Sequence, residues 1–189
     1  SMGAILVRAW APDNRAMPFR WILLVGAAGL LAACSPAMDG REVRPESSGA
    51  ALMLPCKPAS HARNVTLAGA SRRLTLYACT AGGVTWALAY AETGDPVLVS
   101  VALRELRATA AANLGAGPEA PIAWRIAGAT PNPETGRFEL LGRLPDGQPV
   151  REQLAVFAHG TTVFQATALG ERLDPESLEV FFAGLRFPP

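Results

Sequence analysis

The chain has little of what usually marks a catalyst or a nucleic-acid reader. Lysine occurs once, at Lys57, and histidine twice, at His61 and His159. Charged residues make up 17% of the 189 positions and nearly cancel, to a formal +1. A balance that even gives no global pull toward nucleic acid or an anionic surface. The basic pairs Arg72-Arg73 and Arg104/Arg107 have no aromatic residues interleaved, which argues against a nucleic-acid interface. No GxSxG turn and no GxxxxGK[ST] loop occurs, so a nucleophile elbow and a phosphate cradle are excluded. The three cysteines, Cys34, Cys56 and Cys79, form no CxxC pair, and no histidine spacing beside them suggests zinc. Glu139, Arg143, Asp146, Arg151 and Glu152 read as the solvated outer face of a half-buried sheet. Paired carboxylates for acid–base work need a cleft and separated pKa values, and the pattern indicates neither. Catalytic residues, metal ligands and cofactors are therefore not expected.

What the chain does have is apolar residues, half of the total. The first cluster follows Met17-Pro18-Phe19-Arg20 and fills residues 21–31. It is too short for a membrane-spanning helix, which needs roughly 20 apolar residues, but it has the length of a secretory h-region. Leu31-Ala32-Ala33-Cys34 follows directly. One positive charge, an apolar stretch, two small residues and a cysteine resemble the signal and lipobox of bacterial lipoproteins. The resemblance implies cleavage before Cys34 and a lipid on its sulfur, with Met17 as the start and residues 1–16 as an upstream extension. Ser35, in place of aspartate, implies the outer membrane, with the domain facing the periplasm. Loss of residues 1–33 removes Arg8, Arg15, Arg20 and Asp13, which takes the formal charge from +1 to −1.

With Cys34 assigned to lipid, Cys56 and Cys79 remain in an oxidising compartment. They read as a structural disulfide, with two separate buried thiols as the alternative. Residues 34–49 are rich in Ser, Pro, Gly and charge and read as a flexible tether. A single domain is expected over residues 50–189.

Within it, period two dominates at first. Residues 51–54 are an apolar run stopped by Pro55 and Pro58, and residues 64–67 alternate up to a turn at Gly69. Leu74, Leu76 and Ala78 alternate with Thr75, Tyr77 and Cys79. After Gly82-Gly83, Trp86, Leu88 and Tyr90 alternate with Thr85, Ala87 and Ala89. These are antiparallel strands, the last apolar on both faces and therefore interior. Asp95-Pro96 then caps a helix whose Val99, Leu103, Leu106, Ala110 and Leu114 share one face, stopped by Gly115. Strands are predicted over residues 122–129, 137–144, 150–158 and 161–169. Asp174-Pro175 opens a second helix with Leu178, Phe181, Phe182 and Leu185 inward. The order predicts an α+β domain, an antiparallel sheet packed by two helices.

Leu54-Pro55-Cys56-Lys57-Pro58, the paired strands of residues 74–90, and the closing stretch through Phe157, Gly160, Val163–Gly170 and Phe181–Phe187 resemble the PsbP-like α/β sandwiches of exported bacterial proteins. The resemblance implies a domain that docks to larger assemblies and brings no shared catalytic set. The reading that follows is a non-catalytic binding or accessory module, held to the membrane through Cys34 and facing an envelope protein partner. One alternative is a carrier of a small apolar or lipid-like ligand in a cavity lined from Trp86, Phe164 and Phe181. Another is an enzyme with an unfamiliar site.

Overall fold

Alternating side chains fix a seven-stranded antiparallel sheet in the computed structural model, which describes residues 40–117 and 119–188. Cys34 and the segment before it lie outside the described residues. A short hairpin comes first, β1 (Arg41–Val43) with β2 (Leu52–Leu54). Then follow β3 (Ala59–Leu67), β4 (Ala70–Ala81), β5 (Val84–Glu92), helix α1 (Pro96–Leu114), β6 (Ala120–Ile122), β7 (Gly136–Arg143), β8 (Pro149–His159), β9 (Thr162–Gly170) and helix α2 (Pro175–Ala183). The large sheet runs β3-β4-β5-β9-β8-β7-β6. This is the expected α+β class, with β5 interior.

Both helices begin as their caps dictate. The Asp95 carboxylate accepts from the Val97 amide at 2.9 Å, and Pro96 occupies the first turn, where its missing N–H costs nothing. Asp174 accepts from both the amide and the hydroxyl of Ser177. At the end of α1, Gly115 takes a left-handed conformation (φ 54°), which glycine adopts without steric cost.

The sheet separates two cores. On one face, Trp86, Leu88, Phe157 and Phe164 meet Phe181 and Phe182 of α2 and Leu52 and Leu54 of β2. Phe157 and Phe164 are cross-strand partners with parallel rings 5.1 Å apart. On the other face, Leu140, Leu154, Val156 and Val163 meet Val99, Leu103 and Leu106 of α1. At Gly142 an added Cβ would collide with the Leu114 carbonyl. Glycine there lets the end of α1 rest on the β7 backbone.

Arg137 fastens α2 to the sheet. It is 3% exposed, yet it donates to Gln153 at 3.0 Å and to Glu179 at 2.9 Å, and its guanidinium lies 4.0 Å from the Phe182 ring centre. A buried charge persists when it is paired in this way.

Two segments differ from expectation. The tether was expected to reach Gly49, but order begins earlier. β1 pairs with β2, Val43 packs on the core, and Ser48 is buried, donating to the Pro45 carbonyl and accepting from Ala50. The Tyr90 hydroxyl also donates to the Glu46 carbonyl at 2.7 Å. Contacts with residues far along the chain order what composition alone would leave loose. The strand expected over residues 122–129 is the second case, because pairing stops at Ile122. Trp124 instead sets its ring edge-on against Phe157 and Phe182, and its indole N–H donates to the Phe182 carbonyl. Burying that ring outweighs continuing an edge ladder. Downstream, Ala127 bridges to Arg186, which also pairs with Ala51.

Cys56 and Cys79 form a disulfide. It closes a 23-residue separation and ties the β2–β3 connection to β4. Replacing both cysteines by alanine is expected to lower unfolding free energy by about 3 kcal/mol. Urea titration of the variant against the oxidised chain measures it, and coincident midpoints would contradict it.

Candidate functional site

The site is a groove between α1 and half of the sheet. α1 comes down on β7, β8 and β9, touches β3 at one edge, and stands off β4 and β5. Alternation puts Trp86, Leu88 and Tyr90 of β5 on the α2 side, so Thr85, Ala87 and Ala89 face α1. On β4 the cross-strand partners are Leu76 opposite Ala89 and Ala78 opposite Ala87. Three alanines on the floor and Ala110 on the helix leave space where larger side chains would have closed it. Two cavities result, of about 820 and 240 Å³, and both are lined by Ala110 and Asn113. The larger by itself falls in the range of small-molecule sites.

The larger cavity runs past Leu67, Leu74, Ala89 and Leu106, with Arg63, Asn64, Glu105 and Gln165 around it. Glu105 is held in place by accepting from the Ala68 amide at 2.7 Å. The smaller cavity is lined by Leu76, Ala87, Leu114, Leu144 and Leu169.

Glu152 lies in that apolar lining. It is 5% exposed, between Leu140 of β7 and Leu169 of β9 in the ladder. Its hydrogen-bond partner is the Thr167 hydroxyl, which donates at 3.2 Å and in turn accepts from Gln165 at 3.3 Å. Burial pushes the carboxyl up from an ordinary 4.5 to about 7, and the Thr167 hydrogen bond opposes the rise. Asn113 lines the same cavity, and its Oδ1 is buried with no hydrogen-bond partner among the described residues, a costly condition for an acceptor.

The charged group expected on the second hairpin is thus divided. Arg151 pairs with Glu139 at 3.6 Å while more than half exposed, and Arg143 donates to the Gly147 carbonyl. Asp146 accepts from the Gln148 amide. Glu152 does not belong to that solvated face, because it points under α1. The signal was present in the alternation, since Glu152 is in phase with Val150, Leu154 and Val156.

The aromatic trio expected to line a carrier cavity lines neither of these two. Trp86, Phe164 and Phe181 are packed in the opposite core, with Trp86 and Phe181 edge-on at 5.2 Å. His159 contacts the Gly128 carbonyl at 2.9 Å and stacks on Phe187, while His61 is exposed on β3. Arg107 pairs with Glu119 and covers the Phe138 ring, and Arg104 pairs with Glu134. Among the described residues no group of three or more His, Cys, Asp or Glu is arranged to hold a metal ion. No described helix is long and apolar enough to cross a membrane. No protein-family model and no curated protein matches the chain.

Because the folded-state value of Glu152 lies above the unfolded one, the folded chain holds an extra proton between about pH 4.5 and 7. Its stability contribution is full below about pH 4.5 and is lost as pH rises to about 7. At about 1.4 kcal/mol for each pH unit, the loss approaches 3 kcal/mol. Glu152→Gln is expected to flatten that slope and to stabilise the chain by roughly 2–3 kcal/mol at pH 8. Chemical denaturation at pH 4.5 and 8 measures both effects, and parallel pH profiles for the two chains would refute the assignment.

Proposed function

We propose that this chain is a lipid-anchored, non-catalytic binding module of the bacterial envelope that takes a small apolar ligand into the groove under α1. The observation that carries the reading is the alanine-floored space between α1 and β4–β5, where two neighbouring cavities share Ala110 and Asn113 in their linings. Two carboxyl side chains line the groove, Glu152 in the smaller cavity and Glu105 in the larger, and Glu105 is engaged by the Ala68 amide, so they do not sit together as the pair that acid–base chemistry needs. That favours binding over catalysis.

The address rests on the lipobox-like Leu31-Ala32-Ala33-Cys34 and on Ser35, read as an outer-membrane anchor facing the periplasm. With β1 beginning at Arg41, six residues, Ser35 to Gly40, separate the lipidated cysteine from the folded domain. Even fully extended, they span no more than roughly 20 Å. A domain on so short a lead stays beside the bilayer, where apolar ligands concentrate. The PsbP-like reading rests on the Leu54-Pro55-Cys56-Lys57-Pro58 opening and the hairpins that follow it, and it leads to a second proposal, docking to an envelope protein. Its support is β3, a nine-residue edge strand whose one ladder partner among the described residues is β4. A free edge of that length accepts an added strand. Crosslinking through β3 in intact membranes that captured no specific protein would remove this second reading.

The groove is tested by native mass spectrometry of the full chain released from membranes. A non-covalent small-molecule adduct is expected, and Ala110→Phe, which fills the shared wall, should abolish it. A bare wild-type chain would contradict the groove reading. The anchor is tested separately: Cys34→Ser should move the chain from the membrane pellet to the supernatant, and continued sedimentation with membranes would refute it.

A further inference from the structure

We infer that the smaller cavity receives the protonated amine head of an amphiphile whose apolar tail runs along the groove. The inference rests on the groove reading above and adds the chemistry of the head. Three features line that cavity, and with Glu152 ionised all three ask for a donor or a cation. Asn113 Oδ1 is a buried acceptor that no group among the described residues satisfies. Glu152 offers a carboxyl whose sole hydrogen-bond partner among the described residues is Thr167, and no basic side chain lines the cavity beside it. Helix α1 ends at Leu114, which lines the same cavity, so the negative pole of the helix lies at this end.

The alternatives fit less well. A carboxylate head would bring a fourth acceptor into a site already rich in them and would meet the helix at its unfavourable end. A hydroxyl head has one donor to share between Asn113 and Glu152. An ammonium head has three N–H donors and a charge opposite to that of ionised Glu152. Charge-assisted hydrogen bonds of this kind are about twice as strong as neutral ones. Beyond the polar groups the walls are Leu76 and Ala87, which suit an alkyl chain.

The test uses the full chain in its own membranes and three diazirine-bearing C8 probes: an amine, an alcohol and a carboxylic acid. After illumination, peptide mapping reads labelling at the groove itself, independently of how much probe enters the bilayer. The amine probe is expected to label peptides of α1 and β4–β5 most strongly. Glu152→Gln is expected to reduce that labelling roughly tenfold, the loss of one charged hydrogen bond, and Asn113→Ala to reduce it as well. Neither variant should alter labelling by the alcohol probe equally. Melting curves of both variants confirm that the fold is retained. Equal labelling by all three probes, or amine labelling indifferent to Glu152→Gln, overturns the head-group inference and leaves the groove standing. No groove labelling by any probe overturns both.

Discussion

The structure depends on an inequality of size between the two faces of β5. Toward α2 the strand presents Trp86, Leu88 and Tyr90, and toward α1 it presents Thr85, Ala87 and Ala89. A strand places successive side chains on opposite faces, so this contrast is set by sequence alone. The large side chains meet Phe157, Phe164, Phe181 and Phe182 in a core of interlocking rings. The small ones cannot reach a helix held up by Leu103, Leu106 and Leu114 over the neighbouring strands. One face is filled and the other is left with a gap.

This division also explains how the work of holding the fold is shared. The α2 face carries the disulfide, the Arg137 clamp, and the two ends of the described region, which close over it through β1–β2 and the Arg186 bridges. Ion pairing between Arg186 and Glu42 adds a further tie across those ends. With that face secured, the α1 face need not be close-packed throughout. Interiors ordinarily pack to the density of organic crystals, so an open groove requires stability supplied elsewhere.

Much of this is legible in the sequence. Both Asp-Pro helix caps, the α1 stripe from Val99 to Leu114 and the interior placing of β5 followed from spacing, whereas the pairing of Cys56 with Cys79 came from assigning Cys34 to lipid by resemblance, and the structure joins the two. What failed did so for one reason: tertiary contact outweighed local composition. Residues 41–49 look like solvated tether until Tyr90 and the core are there to hold Glu46 and Val43. Residues 124–126 read as strand until Phe157 and Phe182 offer Trp124 a better place. The groove was misplaced because aromatic residues were taken to mark a cavity, whereas here the alanines mark it. A run such as Thr85-Trp86-Ala87-Leu88-Ala89 shows by its alternation which face will be full, but not how far away the helix opposite will stand.

Two buried ionisable side chains, one on each face, show the difference most sharply. Arg137 and Glu152 are 3% and 5% exposed. Arg137 has two hydrogen-bonded partners and an aromatic ring beneath it, so its desolvation is compensated where it sits. Glu152 has one hydroxyl and is raised to about 7 by burial. A leucine in its place would match Leu140 and Leu169 beside it in the ladder and would remove a cost of up to about 3 kcal/mol at neutral pH. Domain stability as a whole is commonly only about 5–15 kcal/mol, so a cost of that size is a large one to carry for the fold alone. The fully partnered arginine is accounted for by the fold it holds together. The under-partnered carboxyl is not, and it faces the cavity in which Asn113 also lacks a donor. Chemistry left incomplete at two groups lining one space is best completed by something that enters it.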